Sequence, residues 1–184
     1  MNGKKLLAFL IAAIVAIGMA SCAQEGPGMS NVENVNSALS LDSLVVDPEV
    51  DLYDGSSVLT TSVHYSVEIS VDQVAPEQDT STMTGIHFTE YEVDYASDDP
   101  DYSVAFNPIE VPIQAYVPPG DNLSLSGYLA MPGEYKQKFV DDSGFPAGSS
   151  DQIIYEFSFT FYGENQFGQE VEVKGSDYTL FGDF

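Results

Sequence analysis

The chain has no arginine and no tryptophan, and its five lysines face 29 acidic residues. Phosphate recognition relies on Lys and Arg, so this balance excludes nucleic acid and other polyanions from the expected partners. The net charge of −24 would also repel an anionic lipid surface. Two readings of the charge stand open: solubility, and attraction to a divalent cation or a basic partner. A single cysteine, Cys22, excludes an internal disulfide, so a folded domain here must be stable through its core. With two histidines, His64 and His87, and that one cysteine, the chain lacks a usual zinc set. No Gly-x-Ser-x-Gly pattern occurs and no helix is expected to hold one, so a serine-hydrolase triad is not expected either. Outside the N-terminal segment, no stretch shows a long helical period.

That N-terminal segment is distinctive. Lys4 and Lys5 precede an apolar run from Leu6 to Met19, followed by the small residues Ala20 and Ser21 and then Cys22. A basic start, a short apolar core and small residues before a break form an export signal. The apolar run is shorter than the roughly 20 residues that span a bilayer as a helix. Met19-Ala20-Ser21-Cys22 resembles the lipobox of bacterial lipoproteins, with Met in place of the commoner Leu. The resemblance implies a diacylglycerol thioether on Cys22, cleavage before it, and acylation of the new amine, with palmitate as the expected chain. Each buried methylene contributes roughly 0.8 kcal/mol to anchoring, and more than one chain makes the attachment durable. Ala23 follows the cysteine, where lipoproteins kept at the inner membrane resemble one another in having Asp, so an outer-membrane location is expected.

The expected organisation is a signal peptide at 1–21, a lipidated flexible tether at 22–40 and a β-sandwich domain at 41–184. The tether is rich in Gly, Ser, Asn and Glu, a composition that buries too little surface to offset chain entropy. From Leu41 onward, short alternating segments are separated by Pro, Gly, Asp and Asn. Val63, Tyr65, Val67, Ile69 and Val71 alternate with polar residues, as do Tyr91, Val93 and Tyr95, giving half-buried strands. Val111 to Val117 forms another, and Pro112 assigns it to an edge or to a sheet switch. Leu123 and Leu125 begin a strand that continues toward Met131, and Leu44 to Leu52, interrupted by Pro48, supplies the first. Ile153, Tyr155, Phe157, Phe159 and Phe161 line one face of the clearest strand. The Gly163–Gly168 stretch then turns the chain into a last strand starting at Val171, predicting a closing antiparallel hairpin. About seven strands of this kind make a single antiparallel all-β sandwich.

The Tyr91-Glu92-Val93-Asp94-Tyr95 strand and the hairpin from Tyr155 through Val171 resemble immunoglobulin-like and fibronectin type III-like sandwiches. Uncharacterised bacterial lipoproteins share this aromatic strand, Gly-x-Asx-x-x-Gly turn and short final strand. The resemblance covers roughly residues 44–184 and implies a fold, not a chemistry.

Calcium prefers carboxylate and carbonyl oxygen, and two acidic loops offer them. Asp94, Asp98, Asp99 and Asp101 follow the Tyr91 strand and are the calcium candidates; the stretch from Asp47 to Gly55 is the second. Neither has the EF-hand spacing. Tyr116, Tyr128 and Tyr178 are candidates for stacking on a sugar or a protein. The leading expectation is a lipid-anchored, non-catalytic binding or structural module of the cell envelope, whose partner is an envelope protein or glycan. A calcium-dependent adhesion module and a carboxylate-based hydrolase are the alternatives, the latter needing two opposed carboxylates across a cleft.

Overall fold

A computed structural model describes residues 37–73 and 85–184. The signal peptide, Cys22 and the tether as far as residue 36 lie outside the described residues. The elements are β1 (Ser37–Val46), β2 (Glu49–Asp51), β3 (Tyr53–Asp54), β4 (Ser57–Val58), β5 (Val63–Gln73), β6 (Ile86–Ala96), β7 (Ile109–Val117), β8 (Asn122–Met131), α1 (Glu134–Ser143), β9 (Ile153–Asn165) and β10 (Glu170–Gly182).

Two sheets form the sandwich. One has the order β1-β5-β8, the other β2-β10-β9-β6-β7, and β3 pairs with β4 in a small separate hairpin. The long strands are β1 and β5 to β10. The first, second and fifth of them make one layer, and the third, fourth, sixth and seventh the other. The expected all-β sandwich is what the chain builds. Every pairing is antiparallel except that of β2, which runs parallel to β10. Pro48, expected to interrupt the first strand, sits where the chain leaves β1 in one sheet and enters β2 in the other. Pro112 lies on β7, an edge of the five-stranded sheet, where a missing N–H costs nothing to a neighbour.

The core lies between the sheets and is dominated by aromatics. Tyr65 of β5 meets Tyr91 of β6 edge-on at 5.2 Å and Phe159 of β9 at 4.5 Å between ring centroids. At the other end Phe139, Tyr155 and Phe181 form a second cluster, with Tyr155 and Phe181 4.7 Å apart and Phe139 5.4 Å from Phe181. Aromatic pairs at such spacings contribute about 0.5–1.5 kcal/mol beyond the area they bury.

The closing hairpin forms as expected, with register running from Glu170 opposite Glu164 to Phe181 opposite Ile153. Its turn is organised by Asn165, whose Oδ1 accepts from the backbone N–H groups of Phe167 (2.9 Å) and Gln169 (3.0 Å). Gly168 completes the turn at φ 73°, a left-handed conformation that a side chain resists.

Two features depart from expectation. β1 begins at Ser37, so residues 37–40, expected to belong to the tether, are strand, and Leu39 is only 1 % exposed. The reason is a bulge between Leu41 and Ser43: it moves the inward positions from Leu39 and Leu41 to Leu44 and Val46 and breaks a simple alternation. The second is helix α1, where no helix was expected. It inserts Phe139 into the second aromatic cluster and ends at Gly144, whose N–H bonds to Val140 O at 2.9 Å. Its start is held close to the chain before β5: a Cβ on Gly133 would lie 1.7 Å from Thr60 O. Lys136, also on α1, is 4 % exposed, and its amine donates to Asp51 O (3.1 Å) and Thr61 Oγ1 (3.0 Å). Burial pulls its pKa below the usual lysine value, against the opposing pull of Asp51 and Asp47.

Candidate functional site

Strand β9 runs through the middle of the five-stranded sheet, and its alternation divides that sheet into two chemistries. Tyr155, Phe157, Phe159 and Phe161 point inward and are buried. Their neighbours point outward and lie in cross-strand rows. Glu156 stands between Tyr178 of β10 and Ala96 of β6, and Ser158 between Ser176 and Asp94. Thr160 stands between Lys174 and Glu92, and Tyr162 between Glu172 and Glu90. Further out, Glu92 is directly opposite Glu110 on β7. The one cation in these rows, Lys174, is 3.3 Å from Glu172. Tyr162 donates its hydroxyl to Glu92 Oε2 at 3.0 Å, and this bond to a carboxylate raises the pKa of the phenol.

At one end of this face is an open cleft of about 480 Å³. Its walls are the start of the loop after β6, including Ser97, Asp98 and Asp99, and the outward side chains Ile154, Glu156 and Tyr178 of the closing hairpin. Ile154 and Tyr178 are 58 % and 59 % exposed. Two large apolar side chains, held out on rigid strands beside several carboxylates, suit recognition of a ligand with both apolar and cationic character.

The loop wall is fixed by its own hydrogen bonds. Asp99 Oδ1 accepts from the N–H groups of Asp101 (3.0 Å) and Tyr102 (2.8 Å), and Ser103 Oγ donates to Ser97 O at 3.0 Å. Tyr102 packs edge-on against Phe145 at 5.1 Å. Tyr155, buried below, accepts from Val104 N and donates to Val104 O.

The expected calcium set does not assemble. Among the described residues no three Asp, Glu, His or Cys side chains are gathered so as to hold a metal ion. The physical reason lies in placement: Asp94 belongs to the sheet face beside Ser158, while one oxygen of Asp99 is already taken by two backbone N–H groups. Asp98 and Asp101 are exposed. The second acidic stretch is not an open loop either, because it contains β2 and β3. There Asp47 accepts from the backbone N–H of His64, and Asp51 from those of Tyr53 and Phe184.

His64 is exposed 3.9 Å from Asp47, and His87 is half-buried on β6 opposite Tyr116 and Glu164. Among the described residues neither imidazole hydrogen-bonds a serine. The three tyrosines are exposed as expected but sit apart: Tyr116 on edge strand β7, Tyr128 beside Tyr65 on the other sheet, and Tyr178 in the cleft. Ile154 escaped notice as a site residue. Its signal was present, since it is an apolar residue at a position where Glu156, Ser158 and Thr160 set a polar phase.

No protein-family model and no curated protein matches the chain. Among solved structures it is similar to the solution structure of AT1g01470 from Arabidopsis thaliana, at 15 % identity over 87 % of each chain with a TM-score of 0.39.

Proposed function

We propose that the chain is a lipid-anchored protein of the cell envelope, with the outer membrane favoured. In this reading its sandwich is a non-catalytic binding module that presents the five-stranded sheet to an envelope partner. The anchor rests on the sequence: a basic start, a short apolar core and a lipobox-like Met19-Ala20-Ser21-Cys22. No helix among the described residues is long and apolar enough to cross a membrane.

One observation carries the binding reading. Ile154 and Tyr178 stand more than half exposed around one cleft, on strands where Ile153, Tyr155 and Thr179 beside them are buried. Exposed side chains on a rigid frame add little to folding and lose little entropy on binding, which is the economy of a recognition site.

Two variants test the reading. Cys22→Ser abolishes lipidation, and the protein is expected to leave the membrane fraction; retention after a salt wash would contradict the anchor. The pair Ile154→Ser and Tyr178→Ala is expected to abolish cross-linking to envelope components while leaving the melting temperature unchanged. Undiminished cross-linking would contradict the role of the cleft.

A further inference from the structure

The acidic residues are unevenly placed. On the outer face of the five-stranded sheet, Glu90, Glu92 and Asp94 follow one another along β6, and Glu156 and Glu172 stand in the neighbouring strands. On the outer face of the three-stranded sheet, the matching rows are Ser40 with Ser70 and Asn122, Ser43 with Glu68 and Ser124, and Val45 with Ser66 and Ser126. That face carries mostly hydroxyls, and two of its carboxylates are engaged locally: Glu68 accepts from Asn122 at 2.9 Å, and Asp42 accepts from Ser70. Charge serving solubility alone has no reason to prefer one of two solvent-facing sheets. On the five-stranded sheet Glu92 faces Glu110 directly across β6 and β7, an arrangement that costs stability. The single cation, Lys174, offsets only Glu172.

The acids of β6 recur at every second residue, a repeat of roughly 6.8 Å from about 3.4 Å per residue. Alternate side chains of an extended peptide repeat at the same distance. The row leads toward the cleft, where Ile154 and Tyr178 supply apolar contact for the methylene stems of lysine or arginine.

Resting on the binding reading above, we infer that this sheet face docks an extended, lysine- or arginine-rich segment of a protein partner. Such a segment would lie along β6 with its end in the Ile154–Tyr178 cleft. Anionic glycans and nucleic acid are repelled by the same charges, and a neutral glycan would leave the carboxylate row without a role.

The test uses the full-length protein in neutral detergent, titrated with octalysine and, in parallel, octaserine at low salt. Octalysine is expected to bind, octaserine not, and binding is expected to weaken as salt rises. Two charge-matched variants separate docking from general attraction. Glu92→Gln with Glu156→Gln, on the proposed face, is expected to weaken binding about tenfold; Asp42→Asn with Glu68→Gln, on the other sheet, by less than about twofold. Tyr178→Ala added to the wild type is expected to weaken it further than charge alone explains. Melting temperatures confirm that each variant is folded. Equal losses from both faces, or no preference for octalysine over octaserine, would overturn the inference. If an envelope partner is still captured through the cleft after such a result, the binding reading survives and only the basic partner is lost.

Discussion

The two outward faces of the sandwich use the same two-residue alternation to different ends. The three-stranded sheet turns serines to solvent, with Ser66 and Ser126 3.1 Å apart across strands. The five-stranded sheet turns out a row of carboxylates along β6, and Ile154, Tyr178 and Tyr116 stand exposed on it, as Val45 and Tyr128 do on the three-stranded sheet. Behind both faces lies one continuous core, so the difference is not demanded by folding. A solvated surface needs only polar atoms; a row of acids along β6 leading to the cleft of Ile154 and Tyr178 is what the proposed docking would use.

The contrast between inward and outward residues of β9 sets the largest expected effect. Phe159→Ala removes a ring packed against Tyr65 and is expected to destabilise the fold by about 3–5 kcal/mol in denaturant titration. Tyr178→Ala on the outward phase of the same hairpin is expected to stay within about 0.5 kcal/mol of wild type. A large loss from Tyr178→Ala would make it a structural residue and blunt the contrast.

Alkaline pH probes what the two sheets share. Burial raises the pKa values of Tyr65, Tyr91 and Tyr95, that of Tyr91 from 10.0 to about 12. A folded-state pKa raised in this way means that the unfolded chain releases the proton first. The tyrosines' contribution is therefore fully present below pH 10 and lost as pH rises, for Tyr91 through about 12. Lys136, with its lowered pKa, works in the opposite sense as it deprotonates, but it is one group against several. Melting temperature is expected to fall steeply above pH 10, and Tyr91→Phe to make that fall shallower at the cost of its hydroxyl bond to Leu129 O. A melting temperature that does not change above pH 10 would show that these phenols are not buried.

The smallest effect concerns the carboxylate row itself. Glu110→Lys places a cation opposite Glu92 and is expected to raise stability by about 0.2–1 kcal/mol at low salt, with the gain fading at high salt. No gain would mean that these charges do not strain the face, removing one reason to seek a partner for them.

Much of this architecture was legible in the sequence where one side of a strand is apolar. Strands β5, β6 and β9, the closing hairpin and the edge position of Pro112 all follow from period-two patterns and turn residues. The pattern failed where geometry interrupts it. In β1 the bulge at Asp42 shifts the buried phase, and the small residues Ser37, Ala38 and Ser40 around Leu39 resemble a tether. In α1 the inward positions are Phe139 and the buried amine-bearing Lys136, so a helical stripe reads as polar. Of the site, Tyr178 and the acids of the loop after β6 could be named from sequence. That Tyr178 pairs with Glu156 and shares a cleft with Ile154 depends on register, which residue types alone do not fix. The same limit explains the calcium expectation: counting acids in a stretch cannot show that Asp99 is occupied by backbone N–H groups.

The most direct test places a photoreactive side chain at position 178 on the five-stranded face, or at position 126 on the three-stranded face, of the full-length protein in intact envelopes. A discrete adduct to a partner from position 178 and none from position 126 is the predicted result. Adducts of equal yield from both positions, or from position 126 alone, would contradict a dedicated binding face.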